Sequence, residues 1–360
     1  MSLVSDILQR DMDLFFKDLE NHSIPSQSSS ELNLIADFTE YNPLHNGHFH
    51  CMKVAKDKFP DALFVAIVPG LFERSGRGIP YILPREIRAE IAISVGADIV
   101  VEGPPMGIMG SGQYSLSLGK MFQALNTDYI PRGYKPFDGF DEILKRINMG
   151  HHIAPKPYKI VDKTSGEVLL RDKLEEDNYV IVSFSNSLSK IGFDYAGKFI
   201  FVERIEGVSG TLIRQSISED NFDKVVDMMP SKTIEVLKRE IKNDGIIFGI
   251  RDEESILNTA NNFDFEKLSS LNLFSEKLAQ NIVEARSFDT IDDVKKSILR
   301  GFSTHFQERV LSILENPISK SDVSAFIDQY PSEIRVLGYK NEEKLEKFIK
   351  KVNNENISLF

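Results

Sequence analysis

A single cysteine, Cys51, in 360 residues leaves the chain without an internal disulfide or a cysteine-built zinc site, a usage that suits a reducing cytoplasm. No stretch approaches the roughly 20 apolar residues that cross a bilayer. The opening MSLVSDILQRDMDLFF lacks the basic start, apolar run and small-residue cleavage site of a leader, so a cytoplasmic protein is expected, with no membrane as partner. Basic residues are in deficit as well: 43 Lys and Arg face 54 Asp and Glu, for a net charge of -11. That balance opposes general coating of nucleic acid while leaving room for a local basic groove. No fixed-period repeat is present. What is there, 41% hydrophobic and 27% charged residues with 25 Phe and 10 Tyr, is the make-up of a folded protein too long for one ordinary core.

Residues 1–31 stand apart. Leu8, Met12, Phe15, Phe16 and Leu19 recur at helical spacing, and SIPSQSSSE (23–31) reads as a polar linker. An amphipathic helix is expected there, docking on the body or on a second subunit of a homo-oligomer. From residue 32, short apolar runs alternate with helical patterns. LNLIADF (32–38), ALFVAIV (62–68), DIVVEG (98–103), DYIPRG (128–133), YVIVSFS (179–185) and KFIFVERI (198–205) read as strands. Residues 48–59, 84–96, 115–126 and 210–218 read as helices, with Ile87, Ile91 and Val95 on one face of the second. Alternation of this kind implies crossovers and a parallel, doubly wound sheet, which binds ligands at the carboxyl ends of its strands. Residues 134–178 look like a variable insert or flap, with a hairpin turning at Lys163–Gly166. Residues 221–360 read as wholly helical. The expected domains are therefore a helix and linker (1–31), an α/β domain (32–220) and a helical C-terminal domain (221–360).

The strongest local feature is ADFTEYNPLHNGHFH (36–50). With 7 His and 22 Gly, an H-x-G-H arises by chance in about one such chain in a hundred. It lies where a buried strand turns into a helix, a place where free N–H groups and the helix dipole favour an anion. Gly47 lets a phosphate approach the backbone and Pro43 stiffens the turn. His45 and His48, at i and i+3, project on one side of the first turn, so both can donate to a polyphosphate as pyrophosphate leaves. A pair of helix-capping histidines is the plainer alternative. A zinc pair fits worse, because metal-binding helices usually space histidines at i and i+4 and no third ligand is evident.

A second feature is Glu206-Gly207-Val208-Ser209-Gly210-Thr211-Leu212-Ile213-Arg214, another helix start with hydroxyl donors and a guanidinium one turn in. It resembles the I-S-(S/G)-T-x-(I/L)-R segment of nucleotidyltransferases in the class I aminoacyl-tRNA synthetase-like superfamily. EYNPLHNGH (40–48) further resembles the E-Y-N-P-F-H-N-G-H of the tRNA(Met) cytidine acetate ligase family. GRGIPYILPREIRAEIAISVGADIVVEGP (76–104), SGQYSLSLG (111–119) and, more loosely, residues 269–314 continue the likeness.

The resemblance implies a Rossmann-like fold with a C-terminal α-helical domain, and an ATP-dependent adenylyl transfer onto acetate followed by modification of a tRNA cytidine. It implies His45 and His48 as catalytic residues. It implies ATP contacts from Phe38, Asn42, Pro43, Gly47, Gly133, Asn186, Arg204, Ser209, Thr211 and Arg214, with Mg²⁺ held by phosphates and water. Three departures stand out: the extra N-terminal residues, the hairpin-like 134–178 where the family is helical, and RGFSTHFQERV (300–310) in place of a more basic family stretch. Two other functions stay open: a small-molecule adenylyl- or cytidylyltransferase acting on a phosphorylated acceptor, and a non-catalytic nucleotide-binding scaffold. Beside these motifs, Glu73, Arg74 and Arg77 sit on a loop whose guanidiniums could reach phosphate. Arg85 and Arg88 are expected to pair with Glu86 and Glu90, and His151-His152 to lie on an exposed loop.

Overall fold

A computed structural model of the chain describes residues 3–20, 31–243, 245, 250–298, 304–352 and 357–360. The strands are β1 (Leu34–Phe38), β2 (Leu63–Pro69), β3 (Ile99–Gly103), β4 (Ile130–Tyr134), β5 (Ile153–Lys156), β6 (Lys159–Asp162), β7 (Val168–Leu170), β8 (Phe199–Glu203), β9 (Ile334–Tyr339) and β10 (Ile357–Leu359). The helices are α1 (Leu3–Glu20), α2 (Asn46–Lys58), α3 (Arg85–Val95), α4 (Ser111–Ala124), α5 (Phe140–Asn148), α6 (Glu176–Lys190), α7 (Gly210–Ser218) and α8 (Ser231–Lys242). They continue as α9 (Glu253–Asn262), α10 (Phe265–Ser270), α11 (Glu276–Glu284), α12 (Ile291–Ser297), α13 (Thr304–Glu315), α14 (Lys320–Gln329) and α15 (Glu342–Val352).

Continuously apolar runs such as LFVAIVP bury both faces of their strands, as a covered parallel sheet requires. β1, β2 and β3 pair in parallel, as do β4 and β8. β4 meets β1 where Ala36 N donates to Tyr129 O at 2.9 Å and Tyr129 N to Leu34 O at 3.1 Å. The resulting order β3-β2-β1-β4-β8 reverses between β1 and β4, and the crevice of a doubly wound sheet opens at that reversal. This is a Rossmann-like α/β fold with many C-terminal helices.

Four expectations need correction. YVIVSFS is the middle of α6, not a strand: Ile181, Val182, Ser185 and Leu188 are buried at helical spacing, and a short apolar run does not by itself distinguish the two periods. The tail is not wholly helical, because β9 pairs antiparallel with β3 and β10 parallel with β9. Nor do the cores divide at residue 220. Val236 and Leu237 of α8 pack with Ile91 and Ala92 of α3, whereas α1 joins α9 to α14 in a second core. The linker at 23–30 lies outside the described residues. Within 134–178, α5 precedes a three-stranded antiparallel sheet, β5-β6-β7, whose last turn spans residues 163–167.

Arg88 gives the fourth correction, and Arg85 a partial one: its Nε does lie 4.0 Å from Glu86, but its shorter contacts go to other elements. Both are fully buried. Arg85 grips Asp11 of α1 through Nη2 at 2.7 Å and Nη1 at 3.0 Å, and its Nε lies 3.0 Å from Glu102 of β3. Arg88 pairs with Glu73 at 2.9 Å. Arg335 of β9 joins Glu102 to Asp18. Asp11, Glu73 and Glu102 lie well away in sequence, so local spacing could not nominate them. α1 thus docks on its own chain, where Phe15 stacks on Phe326 with centroids 4.7 Å apart. Gly78 completes the frame: its φ is +78°, and a Cβ there would stand 2.4 Å from the backbone of Glu308 and Arg309, so the 75–78 loop presses directly on α13.

Removing one partner of a buried pair leaves an uncompensated charge. Asp11→Ala is expected to lower unfolding free energy by about 3 kcal/mol, read from the denaturant midpoint at unchanged slope.

Candidate active site

β1 ends at Phe38, and the chain passes through a turn containing Tyr41, held at φ 45°, before α2 begins. His45 is the N-cap of α2. Its Nδ1 accepts the Gly47 N–H at 3.2 Å, while Nδ1 of His48 accepts the His45 N–H at 3.4 Å. A backbone N–H can only donate, so both Nδ1 atoms carry lone pairs, and each neutral ring must hold its proton on Nε2. The rings stack with centroids 3.8 Å apart and an interplanar angle of 13°. The capping alternative and the phosphate reading are thus compatible: one nitrogen of each ring caps the helix and the other remains a donor.

Burial first, then the nearby Arg204 and Arg214, lowers the pKa of His45 to about 4. Burial and the neighbouring His45 push His48 well below its usual range. Both rings are therefore neutral donors at pH 7.

α7 faces this helix start. Its N-cap Ser209 accepts the Leu212 N–H at 3.3 Å. A Cβ on Gly210 would stand 3.5 Å from Nε2 of His45, which puts the donor edge of that ring against the loop. Arg214 Nη1 donates to Asn42 O at 2.9 Å and Nη2 to Thr211 Oγ1 at 3.0 Å, tying the two motifs together. Asn42 Oδ1 accepts the Ile82 N–H at 2.9 Å, and Glu40 holds the Gly76 N–H at 2.8 Å. These carboxyl and amide groups shape the loop rather than offering free ligands.

A cleft of about 1090 Å³ opens at the reversal of strand order. Phe38, Asn42, Pro43, His45, His48, Arg204, Ser209, Thr211 and Arg214 line it. Gly47 and Gly133 line an adjoining recess of about 190 Å³ that shares Phe38, His45, His48, Arg132 and Arg204. Asn186 lines neither; its Oδ1 lies 2.8 Å from Nε2 of His152. The helical course of α6 turns it toward His152, beside the three-stranded sheet, rather than into either cavity. His151 lies 2.7 Å from Asp162, and both histidines are partly buried and engaged.

Of the loop residues, Arg77 lines the cleft, whereas Arg74 is buried in a pair with Glu315 at 2.6 Å. Arg132, Lys135, Tyr114, His305 and Arg309 also line the cleft and were not singled out from the sequence. Arg132 carried a usable signal, since it directly precedes Gly133 in the fourth strand. The helix bearing Arg309 could not be assigned to the site without its close packing on Gly78.

Residues 33–124 match the family described as HIGH Nucleotidyl Transferase, and residues 135–338 match the Cytidyltransferase-related C-terminal region. The chain belongs to the HIGH nucleotidyltransferases. That membership puts it among enzymes and sets aside the non-catalytic scaffold. An uncharacterized protein of Methanocaldococcus jannaschii is 46% identical to this nucleotidyltransferase over 314 residues, covering 85% of each chain. The tRNA(Met) cytidine acetate ligase of Fervidobacterium nodosum is 27% identical over 356 residues, covering 87% of this chain and 80% of the relative. The crystal structure of Thermotoga maritima TmcAL bound with alpha-thio ATP superposes with a TM-score of 0.74 at 20% identity, covering 91% of this chain and 85% of that one. At that identity the likeness speaks for the fold.

The histidine environment predicts a pH effect. As pH falls from 6.5 toward 4, unfolded His45 takes up a proton that the folded site refuses, so stability falls. Asp37, raised to about 6 by burial, acts in the opposite sense and is common to any His45 variant. His45→Asn should therefore lose less stability than the wild type over that interval, by up to roughly 3 kcal/mol, measured by urea unfolding at each pH.

Proposed function

We propose that this nucleotidyltransferase adenylylates a small acceptor with ATP, releasing pyrophosphate. The observation that supports this most is the stacked His45–His48 pair, two neutral imidazoles fixed as Nε2–H donors against a second helix start that carries Ser209, Thr211 and Arg214. An acceptor oxyanion attacks the α-phosphate in line as the bond to the β-phosphate breaks. His45 and His48 donate to the charge that builds on the transferring phosphoryl group, and Arg214 and the start of α7 hold the leaving pyrophosphate. Phe38, Asn42, Pro43 and Gly47 shape the phosphate turn, while Gly133 and Arg204 border the recess that suits the nucleoside. Among the described residues no group of three His, Cys, Asp or Glu is placed to hold a metal ion; Mg²⁺ is proposed to be carried by the phosphates and water. Bound in that way, it would neutralise triphosphate charge.

Acetate as acceptor, with subsequent transfer to a tRNA cytidine, is the reading favoured by the relatives named tRNA(Met) cytidine acetate ligase. A phosphorylated small acceptor is the second reading, favoured by Arg77, Lys135, His305 and Arg309 along the cleft.

Incubation with ATP, acetate and bulk tRNA should yield pyrophosphate and acetylated cytidine by mass spectrometry. Pyrophosphate release driven instead by a phosphorylated acceptor, such as phosphopantetheine or nicotinamide mononucleotide, selects the second reading. His45→Ala should slow ATP/pyrophosphate exchange at least about 100-fold at unchanged circular dichroism. Exchange at the wild-type rate would sink the assignment of that ring.

A further inference from the structure

Arg132 sits in the middle of β4, beside the end of β1. Its Nη1 donates to Phe38 O at 2.8 Å, and its Cζ lies 5.6 Å and 5.4 Å from the ring centroids of Phe38 and Phe184. Its Nε and Nη2 are shut off from water and have no hydrogen-bond partner. Those two atoms form the side-on edge of the guanidinium, whose parallel N–H bonds match the two oxygens of a carboxylate. Asp37 is the strongest favourable charge near it, yet it does not satisfy that edge. Across the fold, Arg309 of α13 lines the same cleft with its Nε buried and unpartnered. Tyr114 lines the cleft beside both guanidiniums, so strand and tail helix contribute to one cavity. The phosphate side differs: Arg204 is paired with Asp177, and Arg214 is committed to Asn42 and Thr211.

Buried polar groups in native proteins rarely lack partners, and a buried cationic edge left unpartnered on a residue that lines the cleft points to a ligand that completes it. Resting on the adenylylation reading above, we infer that Arg132, assisted by Arg309, is the residue that holds the acceptor's carboxylate. The carboxylate lies side-on against Nε and Nη2. One of its oxygens forms the new bond to the α-phosphorus, while the bond from that phosphorus to the bridging oxygen breaks and its electron pair leaves with pyrophosphate. The acceptor arrives already deprotonated, so no base is needed, in keeping with histidines that act as donors.

The test measures binding without turnover. Acetate, and separately inorganic phosphate, are titrated calorimetrically into the wild type, Arg132→Met, Arg132→Lys and Arg309→Met, each with and without a non-hydrolysable ATP analogue. The expected result is acetate binding weakened at least about tenfold in Arg132→Met and Arg132→Lys, because lysine lacks the planar fork, and weakened less in Arg309→Met. Affinity for the ATP analogue should change less than about threefold; because Arg132→Met also gives up the bond to Phe38 O and the favourable charge beside buried Asp37, its melting temperature should fall, and Arg132→Lys, which keeps the charge, separates that loss from the loss of acetate binding. Unchanged acetate affinity overturns the inference. So does an equal loss of ATP-analogue affinity, which would assign Arg132 to the triphosphate, or Arg132-dependent binding of phosphate in preference to acetate. Arg132-dependent acetate binding in a wild type that fails to bind the ATP analogue keeps the anion site and removes the adenylylation reading.

Discussion

Arg85 and Arg88, with Asp11, Glu73 and Glu102, form a charge cluster sealed inside the molecule. Such groups are tolerated only when each charge has a partner, so the elements that supply them are held in one arrangement. α1 brings Asp11, β3 brings Glu102, and the loop after β2 brings Glu73. Arg88 then spends its remaining donors on the carbonyls of Pro69 and Leu83, at 2.7 Å and 3.1 Å, and of Glu40, at 2.9 Å. The last of these belongs to the turn between β1 and α2. The phosphate turn is therefore braced from below by a network that reaches the N-terminal helix, whose buried side is made by Val4, Leu8, Asp11, Phe15 and Asp18.

The sheet and the two phosphate motifs were readable because their signals are local. A buried run followed by N-P-L-H-N-G-H dictates a strand, a turn and a capped helix within fifteen residues, and Ser209 announces α7 in the same way. Where the sequence misled, the deciding contacts were distant. YVIVSFS has the composition of a strand, yet its burial follows a helix packed on α4, and Asn186 turns away with it. Arg85 and Arg88 were expected to pair with Glu86 and Glu90, whereas their shortest contacts, to Asp11, Glu73 and Glu102, lie in other elements. β9 and β10 come after a long helical tail, and nothing near them in sequence shows that they return to the edge of β3.

The acidic net charge also changes meaning once it is distributed in space. Arg77, Arg132, Lys135, Arg204, Arg214 and Arg309 line one cleft together with Glu40, Glu175, Asp177, Glu203 and Glu206, in a chain whose balance is -11. The cleft is thus close to charge balance while the chain as a whole is acidic, and several of its charges face one another, as Arg204 faces Asp177 and Lys135 faces Glu175. Recognition of an anion there depends on which individual guanidinium is left to bind it more than on a broad positive field.

The pressure of the 75–78 loop on α13 has a consequence for how this cleft can evolve. One wall is made by two helix starts between residues 38 and 48 and between 204 and 214. Another comes from α13, which lies far later in the chain and meets the loop around residues 74–78 through Gly78, the Ser312 hydroxyl and the Arg74–Glu315 pair. Changes along α13 can therefore reshape one side of the cavity while the capped histidines keep their hydrogen bonds. A lineage could exchange one acceptor for another by drift in its tail and leave the older half of the machine untouched.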